Sequence, residues 1–405
     1  MTPTLYLTRN GLLEPLGQSQ VFAYLRGLSR DYTVTLITYE KPEDRADSVQ
    51  MARARAECER HGIRWLPQEF RPRPRIIAPA LSMARMVWLV WREVRGGRAC
   101  LIHARSYIPA AVALVVHRLT GVPFIFDMRA LWPEELITAK RLKRGSILHR
   151  AIVAVERACL RNAAAVVSLT HAAVAHLKRE YTKERGGQRI EVIPTCADLD
   201  RFTPAPEKRA GPAVHGCIGT ILSGWFRTDW LAAWLSTVAM DDPEAQFDIV
   251  TRDDVDRVRA ALDPQGALGK RLCIGPRPTE EMPNAVRSHD LSVMFYAGGE
   301  ISELGRSPTR MAEVLGCGLP VVANEGVGDV ADIVRQNRVG VIVDGPEPTQ
   351  MSAALDELKV LMQDPDLPSR CRTTAEAVFS LAAGTEAYRG IYASILHVEG
   401  DPCVE

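Results

Sequence analysis

The chain has 405 residues, of which 46% are hydrophobic and 24% are charged, and its formal net charge is +1. This balance is typical of a globular protein, and the length predicts two domains of roughly 150–200 residues each. No apolar run reaches the ~18 residues of a membrane span, and the first residues lack the basic head and apolar segment of a signal peptide. The nine cysteines form no C-x-x-C pair, so we expect reduced cytosolic thiols and no structural metal.

The small net charge hides an asymmetry between the two halves. Residues 1–200 contain 31 Lys and Arg against 19 Asp and Glu, a balance of +12, whereas the remainder balances at −11. A basic first half indicates a polyanion, an anionic lipid surface or the acidic half of the same molecule as its partner. The alternative is a solvated, arginine-rich surface.

Apolar and β-branched segments alternate with helical patterns along the chain. In the first half the strand-like segments are TLYLTRN, YTVTLITYE, CLIHA, PFIFDM, AAVVSL and IEVIP. After a Pro- and Ala-rich linker at Arg201–Val214, the alternation restarts with VHGCIGTI, QFDIVT, RLCIG, LSVMFY, LPVVAN and VGVIV. This order predicts a parallel sheet with helices on both faces in each half. In such sheets, ligands bind beyond the carboxyl ends of the strands.

The segment SPTRMAEVLGCGLPVV predicts a short helix followed by a strand. Ser307 suits the N-cap and Pro308 the first helical position, where a missing N–H has no consequence. The free N–H groups of Thr309 and Arg310 favour an anion at this end. Glu313 lies about one turn further, roughly 5 Å along the axis, which suits a carboxylate that accepts hydrogen bonds from ribose hydroxyls. The alternative is that this carboxylate only pairs with an arginine, for which the candidates are Arg310 and Arg335.

The run S-P-T-R-x-x-E-x-x-x-x-G-x-P-V-V-A resembles the nucleotide-sugar signature of the retaining family-4 glycosyltransferases, which have the GT-B fold. Further motifs that look like this family are IPTCADLDRF, GTILSGWFRTDWL, GPRPTEEMPNAVRSHDLSVMF, HARSYIPAA, PFIFDMRALWPEE, GVGDVADIV and TEAYRGIYASIL. The resemblance implies an α/β protein of two Rossmann-like, doubly wound domains that face each other across a cleft. It places the acceptor-binding domain at 1–203, the nucleotide-sugar-binding domain at 204–378, and at 379–405 a C-terminal helix that crosses back to the first domain, then a tail.

By this resemblance, Glu313 holds the donor ribose hydroxyls, the amides around Ser307–Arg310 hold the diphosphate, and Arg277 lies along the base. The complete set predicted to bind the donor nucleotide is Gly219, Thr220, Arg227, Arg277, Ser307, Pro308, Thr309, Arg310 and Glu313. Short loops with glycine are expected there, because backbone must approach the nucleotide closely.

The sequence departs from the family pattern at the donor sugar. The family often has a glutamate eight residues before the second one, and this chain has Gly305 at that position. We expect Glu303 or Glu300 to take its place, or the sugar to be held differently.

A second departure concerns the donor phosphates. The usual Gly-Arg…Lys pair is missing, and Thr220 and Trp225 stand in its place. We predict that Arg227 and Arg252 replace it, with Arg252 acting in catalysis, and the alternative for each is a solvated surface arginine. These departures leave open a non-catalytic member of the family.

In the first half, Asp127 and Arg129 stand where the family places residues that contact the acceptor or the sugar. Asp127 is predicted to orient an acceptor hydroxyl and Arg129 to bind an acidic or phosphorylated acceptor, and both are candidate catalytic residues. The alternative is a buried pair of Asp127 with Arg129 or Arg105 that holds the strand ends together. The remaining candidates for donor-sugar or acceptor contact are Gly17, Gln18, Arg105, His171 and Glu303, whereas His103 is predicted to be a core histidine.

The resemblance implies transfer of a sugar from a nucleotide-diphosphate donor, with retention of configuration, to an envelope-glycan, lipid-linked or small-molecule acceptor. Front-face departure and attack need no protein nucleophile, and we assign none. No cofactor, no metal and no nucleic-acid partner are expected. Two alternatives stay open: a nucleotide-sugar 2-epimerase of the same architecture, and a non-catalytic nucleotide-sugar-binding subunit.

The segment Arg71–Arg98 combines arginines, two tryptophans and an apolar helix face, as a helix resting on anionic lipid would. An amphipathic helix packed on the sheet is the alternative. The basic run RLKRG at Arg141–Gly145 favours the membrane. We therefore expect a cytoplasmic protein, with an anionic membrane surface on the inner face as a further partner.

Overall fold

The computed structural model describes residues 1–70, 77–181, 189–207 and 210–398, with the side chains of all of these except 77–81 and 398. The chain divides into two compact units. Unit 1 consists of residues 1–194 together with the segment that begins at Leu381, and unit 2 consists of Thr195–Ser380. The sequence had placed these two divisions at 203/204 and 378/379.

Unit 1 is built on a parallel sheet of seven strands. The strands are β1 (Thr2–Leu7), β2 (Tyr32–Glu40), β3 (Arg64–Glu69), β4 (Leu101–Arg105), β5 (Phe124–Met128), β6 (Ala165–Ser168) and β7 (Ile190–Val192). They lie side by side in the order β3-β2-β1-β4-β5-β6-β7. Strands β4 and β5 are buried along their whole length, as expected for parallel strands covered on both faces.

The helices of unit 1 connect these strands. They are α1 (Pro15–Gly17), a π-helical turn at Gln18–Phe22, α2 (Ala23–Leu28), α3 (Pro42–Ala46), α4 (Ser48–Arg60), α5 (Ile77–Arg95), α6 (Tyr107–Thr120), α7 (Trp132–Thr138), α8 (Ile147–Asn162) and α9 (His171–Glu180). The spatial order of the strands reverses direction at β1, and parallel crossovers are right-handed. Helices α2 and α4 therefore cover one face of the sheet, and α5, α6 and α8 cover the other.

Strand β3 was missed by the sequence pattern. Its segment RWLPQE carries polar residues and Pro67, and it pairs with β2 alone. An edge strand tolerates a proline because one side of its backbone needs no ladder partner. The edge position explains why the strand exists without an apolar run.

Unit 2 contains a second parallel sheet, of six strands, in the order β10-β9-β8-β11-β12-β13. The strands are β8 (Val214–Ile218), β9 (Gln246–Val250), β10 (Leu272–Gly275), β11 (Leu291–Met294), β12 (Val321–Asn324) and β13 (Gly340–Val343). The helices are α10 (Thr228–Asp241), α11 (Val255–Leu262), α12 (Met282–Arg287), α13 (Thr309–Gly316), α14 (Val330–Asn337), α15 (Pro348–Met362) and α16 (Leu367–Phe379), with 3₁₀ turns at Gly269–Arg271 and Ile301–Gly305. The prediction of two doubly wound α/β units is confirmed.

The last helix, α17 (Leu381–Val398), belongs to unit 1 and packs on α2. One side of this helix is buried and faces the sheet of that unit, and it carries Tyr388, Ile391 and Tyr392. Among the described helices, none is both long enough and apolar enough to cross a bilayer. The cysteines at 58, 159, 196, 217, 273, 317 and 371 are free thiols.

The core of unit 2 contains a neutral histidine. His215 on β8 is buried, and the indole N–H of Trp234 donates to its Nδ1 at 3.2 Å. Burial lowers the pKa of His215 to about 4, because desolvation disfavours the imidazolium more than the nearby carboxylates favour it. The imidazole in the folded unit therefore stays neutral well below the pH at which an unfolded histidine takes up a proton.

We expect His215 to make unit 2 acid-sensitive. Its contribution to the free energy of unfolding is fully present above pH ~6.5, the pKa of an unfolded histidine, and is lost as the pH falls towards 4. The loss amounts to roughly 3 kcal/mol, since each unit of pKa difference corresponds to about 1.4 kcal/mol. Hydrogen exchange of α10 measured between pH 7 and 4.5 checks it, with His215→Gln as the comparison. Equal pH slopes in the variant and the natural protein would contradict the assignment.

Candidate functional site

The N-terminus of α13 is open. Pro308, with φ −70° and ψ 118°, is its N-cap, and no described side chain caps this end. The prediction of Ser307 as the N-cap is wrong, because its hydroxyl instead accepts the backbone N–H of Thr195 at 3.1 Å. Within the described residues, the N–H groups of Thr309 and Arg310 make no hydrogen bond. Two unpaired donors at the positive end of a helix dipole are suited to bind an anion.

Glu313 lies one turn further along α13. It is 8% exposed, and Nη1 of Arg310 donates to its Oε2. Burial raises the pKa of Glu313, and the Arg310 guanidinium only partly opposes this. The alternative pair with Arg310 is therefore present, whereas Arg335 pairs with Glu325. The Arg310 side chain is partly exposed, whereas that of Glu313 is 10% exposed.

Glu303 does not present a free carboxylate. It is 1% exposed, and Arg306 binds it through Nε and Nη2, with a further hydrogen bond from the Ser302 hydroxyl at 3.3 Å. This geometry does not support direct contact of Glu303 with the donor sugar, because a buried and paired carboxylate has no face to offer. Glu303 instead positions Arg306, while Glu300 is exposed.

Arg306 is the cation that sequence reasoning missed. Its guanidinium carbon lies 5.0 Å from the ring centroid of Trp225 and 5.9 Å from that of Tyr296. Both aromatic residues follow strands of unit 2, so the arginine stands at the carboxyl edge of the sheet, directly before α13. Held between two rings and a buried carboxylate, it is a pre-positioned positive charge. Its place next to the S-P-T-R run was the only sequence signal.

The loop after β8 also lies at this edge. Gly219 has φ +146°, a conformation that side chains rarely adopt. The loop that follows Thr220 is fixed by Asp253, whose Oδ2 accepts the N–H groups of Ile221 and Leu222 at 2.5 and 2.9 Å. The tight turn agrees with the expected close approach of backbone to a ligand. Asp253 was not predicted, because its partners are 31 and 32 positions away.

The three arginines predicted around the donor differ in their surroundings. Arg227 forms two hydrogen bonds to Asp229 and lies over Trp230. Arg277 stands 3.5 Å from Asp248, so its charge is partly balanced. Arg252 is exposed and has no ion pair within the described part of the chain. Of the three, Arg252 is the arginine whose positive charge at the carboxyl edge is not offset by a carboxylate among the described residues.

In unit 1, Asp127 is the centre of a buried cluster. It is 0% exposed, and its carboxylate lies 3.3 Å from Nε2 of His103, 3.6 Å from Nη1 of Arg105 and 3.4 Å from Nη1 of Arg129. The hydroxyl of Tyr388 on α17 donates to it at 3.2 Å. The predicted contact of Asp127 with an acceptor hydroxyl is not supported, because all its surroundings are protein. The buried pairing that the sequence left open is what the structure shows.

The charges in this cluster do not balance. Burial alone would raise the pKa of Asp127, but Arg129 and the hydrogen bond from His103 outweigh it and hold that pKa below its usual range. Burial lowers the pKa of His103, so this histidine, in the predicted core position, is neutral. Two guanidinium groups thus face one carboxylate. Nη1 of Arg105 and Nε of Arg129 are buried without a hydrogen bond.

The loop at Gly17 and Gln18 is fixed by Glu40. This buried carboxylate accepts the N–H of Leu12 at 2.7 Å and the hydroxyl of Thr38 at 2.5 Å. A Cβ at Gly17 would lie 2.0 Å from the carbonyl oxygen of Gly11, so only glycine fits. The Gln18 amide donates to the Leu12 carbonyl at 2.7 Å. The Gln18 side chain therefore stabilises the loop.

His171 is the first residue of α9, and it is exposed. Thr170 caps that helix through the N–H of Ala173. Across the described ranges, no three His, Cys, Asp or Glu side chains are grouped so that they could hold a metal ion. Within unit 1, the structure thus brings together Asp127, Arg105 and Arg129 at the edge of the sheet. Within unit 2, it brings together Arg306 and the segment around α13.

Known structures share this architecture over almost the whole chain. Sucrose-phosphate synthase from Thermosynechococcus elongatus superposes with a TM-score of 0.70 at 16% identity, over 98% of this chain and 100% of that one. HepE of Anabaena, solved with UDP and glucose, gives 0.67 at 17% identity, over 97% and 100%. These likenesses show the fold: the protein is of the GT-B class, with two parallel-sheet α/β units.

The family follows from the sequence models. The model described as "Glycosyl transferase 4-like domain" matches residues 18–196, and the model described as "Glycosyl transferases group 1" matches residues 212–359. The chain belongs to the group 1 glycosyltransferases, and the predicted resemblance is confirmed.

Two curated relatives match part of the chain at somewhat higher identity. A 2-deoxystreptamine glucosyltransferase of Streptomyces kanamyceticus is 27% identical over 269 residues, 62% of this chain and 64% of the relative. A D-inositol 3-phosphate glycosyltransferase of Corynebacterium jeikeium is 25% identical over 231 residues, 50% of this chain and 51% of the relative. The match thus spans between about half and just under two thirds of the length of these relatives.

Proposed function

We propose that the protein transfers a sugar from a nucleoside-diphosphate donor to a glycan, lipid-linked or small-molecule acceptor, with retention of configuration and without a metal ion. The observation that carries this proposal is the uncapped start of α13, with two unpaired N–H groups and Glu313 one turn away. Family membership and the curated relatives, which are named as transferases, support it.

The donor is held by unit 2 in this proposal. The N–H groups of Thr309 and Arg310 bind the diphosphate, and Glu313 accepts the ribose hydroxyls. Arg306 takes the place of the missing basic pair, because it is fixed by Glu303 and by two aromatic rings. Positive charge that is already in place stabilises the leaving diphosphate without reorganisation at the moment of reaction.

The acceptor is held by unit 1. Arg105 and Arg129 carry one positive charge more than Asp127 balances, and each keeps a buried nitrogen without a hydrogen bond. An acceptor with a phosphate or carboxylate group would offset this excess of positive charge. Asp127 is a positioning residue here, because it holds the two guanidinium groups without touching substrate. A lipid-linked or envelope acceptor would place the enzyme at the inner face of a membrane.

A thermal-shift screen with UDP, GDP, ADP and their sugar conjugates tests the donor site, because a ligand that binds the folded protein raises its unfolding temperature. UDP conjugates come first, since the similar HepE was solved with UDP-glucose. The donor that binds is then incubated with candidate acceptors, and products are detected by mass spectrometry. Nucleotide release without a glycosylated product would favour the epimerase, and binding without turnover would favour a non-catalytic subunit.

We expect transfer to continue in EDTA. The leaving diphosphate is met by helix N–H groups and arginines, so its charge is stabilised without a cation. Turnover is measured before and after exhaustive chelation, with the same preparation resupplied with Mg²⁺ or Mn²⁺ as the control. Loss of turnover that either cation restores would show that this assignment is wrong.

A further inference from the structure

The exposed apolar side chains of this protein are concentrated on one layer of unit 1. Among the described residues, fourteen large hydrophobic side chains are exposed, and eight of them lie on α5, α6 and α8. These eight are Met83, Trp88, Trp91, Val115, Leu119, Ile147, Leu148 and Val155. Helix α6 contacts both α5 and α8, so the three helices form one continuous surface. We call this surface the basic face, for the charges described next.

Every exposed charge on these three helices is positive within their described side chains. The exposed arginines are Arg85, Arg92, Arg95, Arg118, Arg150, Arg157 and Arg161. The helices contain two carboxylates, Glu93 and Glu156, and both are buried. Glu93 is bound by arginines, and Glu156 accepts the hydroxyls of Tyr107 and Tyr181. The acids are thus turned inwards and the arginines are exposed, with Arg92 also pairing with Glu93 at 3.2 Å.

The exposed aromatic and aliphatic groups are intermixed with these arginines. Trp88 is 53% exposed, Leu119 64% and Ile147 80%. Arg92 lies over the Trp88 ring at 4.8 Å. The loop before α8 adds exposed Arg141 and Lys143.

We propose that the basic face docks onto an anionic lipid bilayer. Tryptophan and aliphatic side chains enter the boundary between headgroups and acyl chains, while arginine heads remain at the level of the lipid phosphates. A second copy of the chain does not fit, because a two-fold interface would place seven arginines against seven. A nucleic acid does not fit either, since its phosphates offer nothing to Leu119, Ile147 and Leu148.

This proposal refines the proposed location of the protein at a membrane and rests on it. It does not depend on the chemistry of sugar transfer. The basic face includes the part of Arg71–Arg98 that forms α5, and it adjoins Arg141 and Lys143 of the RLKRG run. Arg71, Arg73 and Arg75 lie outside the described residues, and Arg144 pairs with Glu134. The face is formed by three helices that lie between Ile77 and Asn162.

Co-sedimentation of the full chain with vesicles is the test. We expect binding to vesicles that contain phosphatidylglycerol, weaker binding in high salt, and none to pure phosphatidylcholine. Each basic residue near an anionic surface contributes about five-fold in partitioning. The variant Arg85→Gln/Arg118→Gln/Arg150→Gln should therefore bind about 100-fold more weakly. The variant Trp88→Ser/Leu119→Ser/Ile147→Ser should also lose binding, without a change in net charge.

The matched control is Arg26→Gln/Arg30→Gln/Arg53→Gln, which removes three exposed arginines from the opposite side of the unit 1 sheet. It should bind as the natural protein does. An equal loss in this control, no binding to either vesicle, or RNA binding that exceeds vesicle binding and survives the serine variant would each overturn the proposal. Nucleotide binding by the variants, measured by thermal shift, should be unchanged. Vesicle binding by a protein that binds no nucleotide sugar would refute the proposed function and leave the basic face intact.

Discussion

Replacing Glu313 with alanine is expected to weaken nucleotide-sugar binding on the order of 100-fold while the protein stays folded. Two hydroxyl hydrogen bonds to a carboxylate contribute ~1.5–3 kcal/mol each before competition with water, which sets this magnitude. The fold should survive, because the Arg310 guanidinium is partly exposed and can be hydrated when its partner is removed. Isothermal titration with the donor identified by thermal shift measures the affinity.

The matched control for this variant is Glu357→Ala. Glu357 is an exposed glutamate on α15 of the same unit, so its removal changes the net charge of unit 2 by the same amount. Glu313→Gln keeps the shape of the side chain and should bind with intermediate affinity, since an amide oxygen can accept only weaker hydrogen bonds than a carboxylate. If Glu313→Ala binds the donor as tightly as Glu357→Ala does, Glu313 only anchors α13 through Arg310.

Replacing Asp127 with alanine is expected to destabilise unit 1 by about 3–5 kcal/mol, since it leaves Arg105 and Arg129 buried without a counter-charge. Helix α17 should loosen with it, because Tyr388 loses its acceptor. Hydrogen exchange in α17 measures this effect locally. A local measurement is needed because a protein of two units need not unfold in one step.

Asp31→Ala provides the matched control. Asp31 also binds α17, through Nε of Arg389 at 2.7 Å, but both partners of this pair are partly exposed. An exposed pair contributes about 0–1 kcal/mol, so α17 should stay protected. Equal protection of α17 in both variants would show that the buried cluster does not hold this helix. Natural stability of Asp127→Ala together with abolished transfer would restore Asp127 as a catalytic residue.

The strands and the start of α13 could be predicted because their signals are local. Period-two and continuous apolar runs mark strands wherever both faces of a sheet are covered, and S-P-T-R followed by Glu313 marks a short helix. Strand β3 was missed for the opposite reason, since an edge strand needs no apolar run. The N-cap was displaced from Ser307 by a hydrogen bond to Thr195, 112 positions away, and no local pattern could show that.

The fold class, the short helix that carries Glu313 and the excess of basic residues in the first half could be inferred from the sequence, because each depends on residue type and short spacing. Which charges are paired in the interior and which stay exposed depends instead on tertiary packing. Asp127 meets Tyr388 across 261 positions, Glu303 holds Arg306 between rings of Trp225 and Tyr296, and the acids of α5 and α8 turn inwards. Burial and pairing depend on which elements pack together, and packing joins residues that are far apart in the chain.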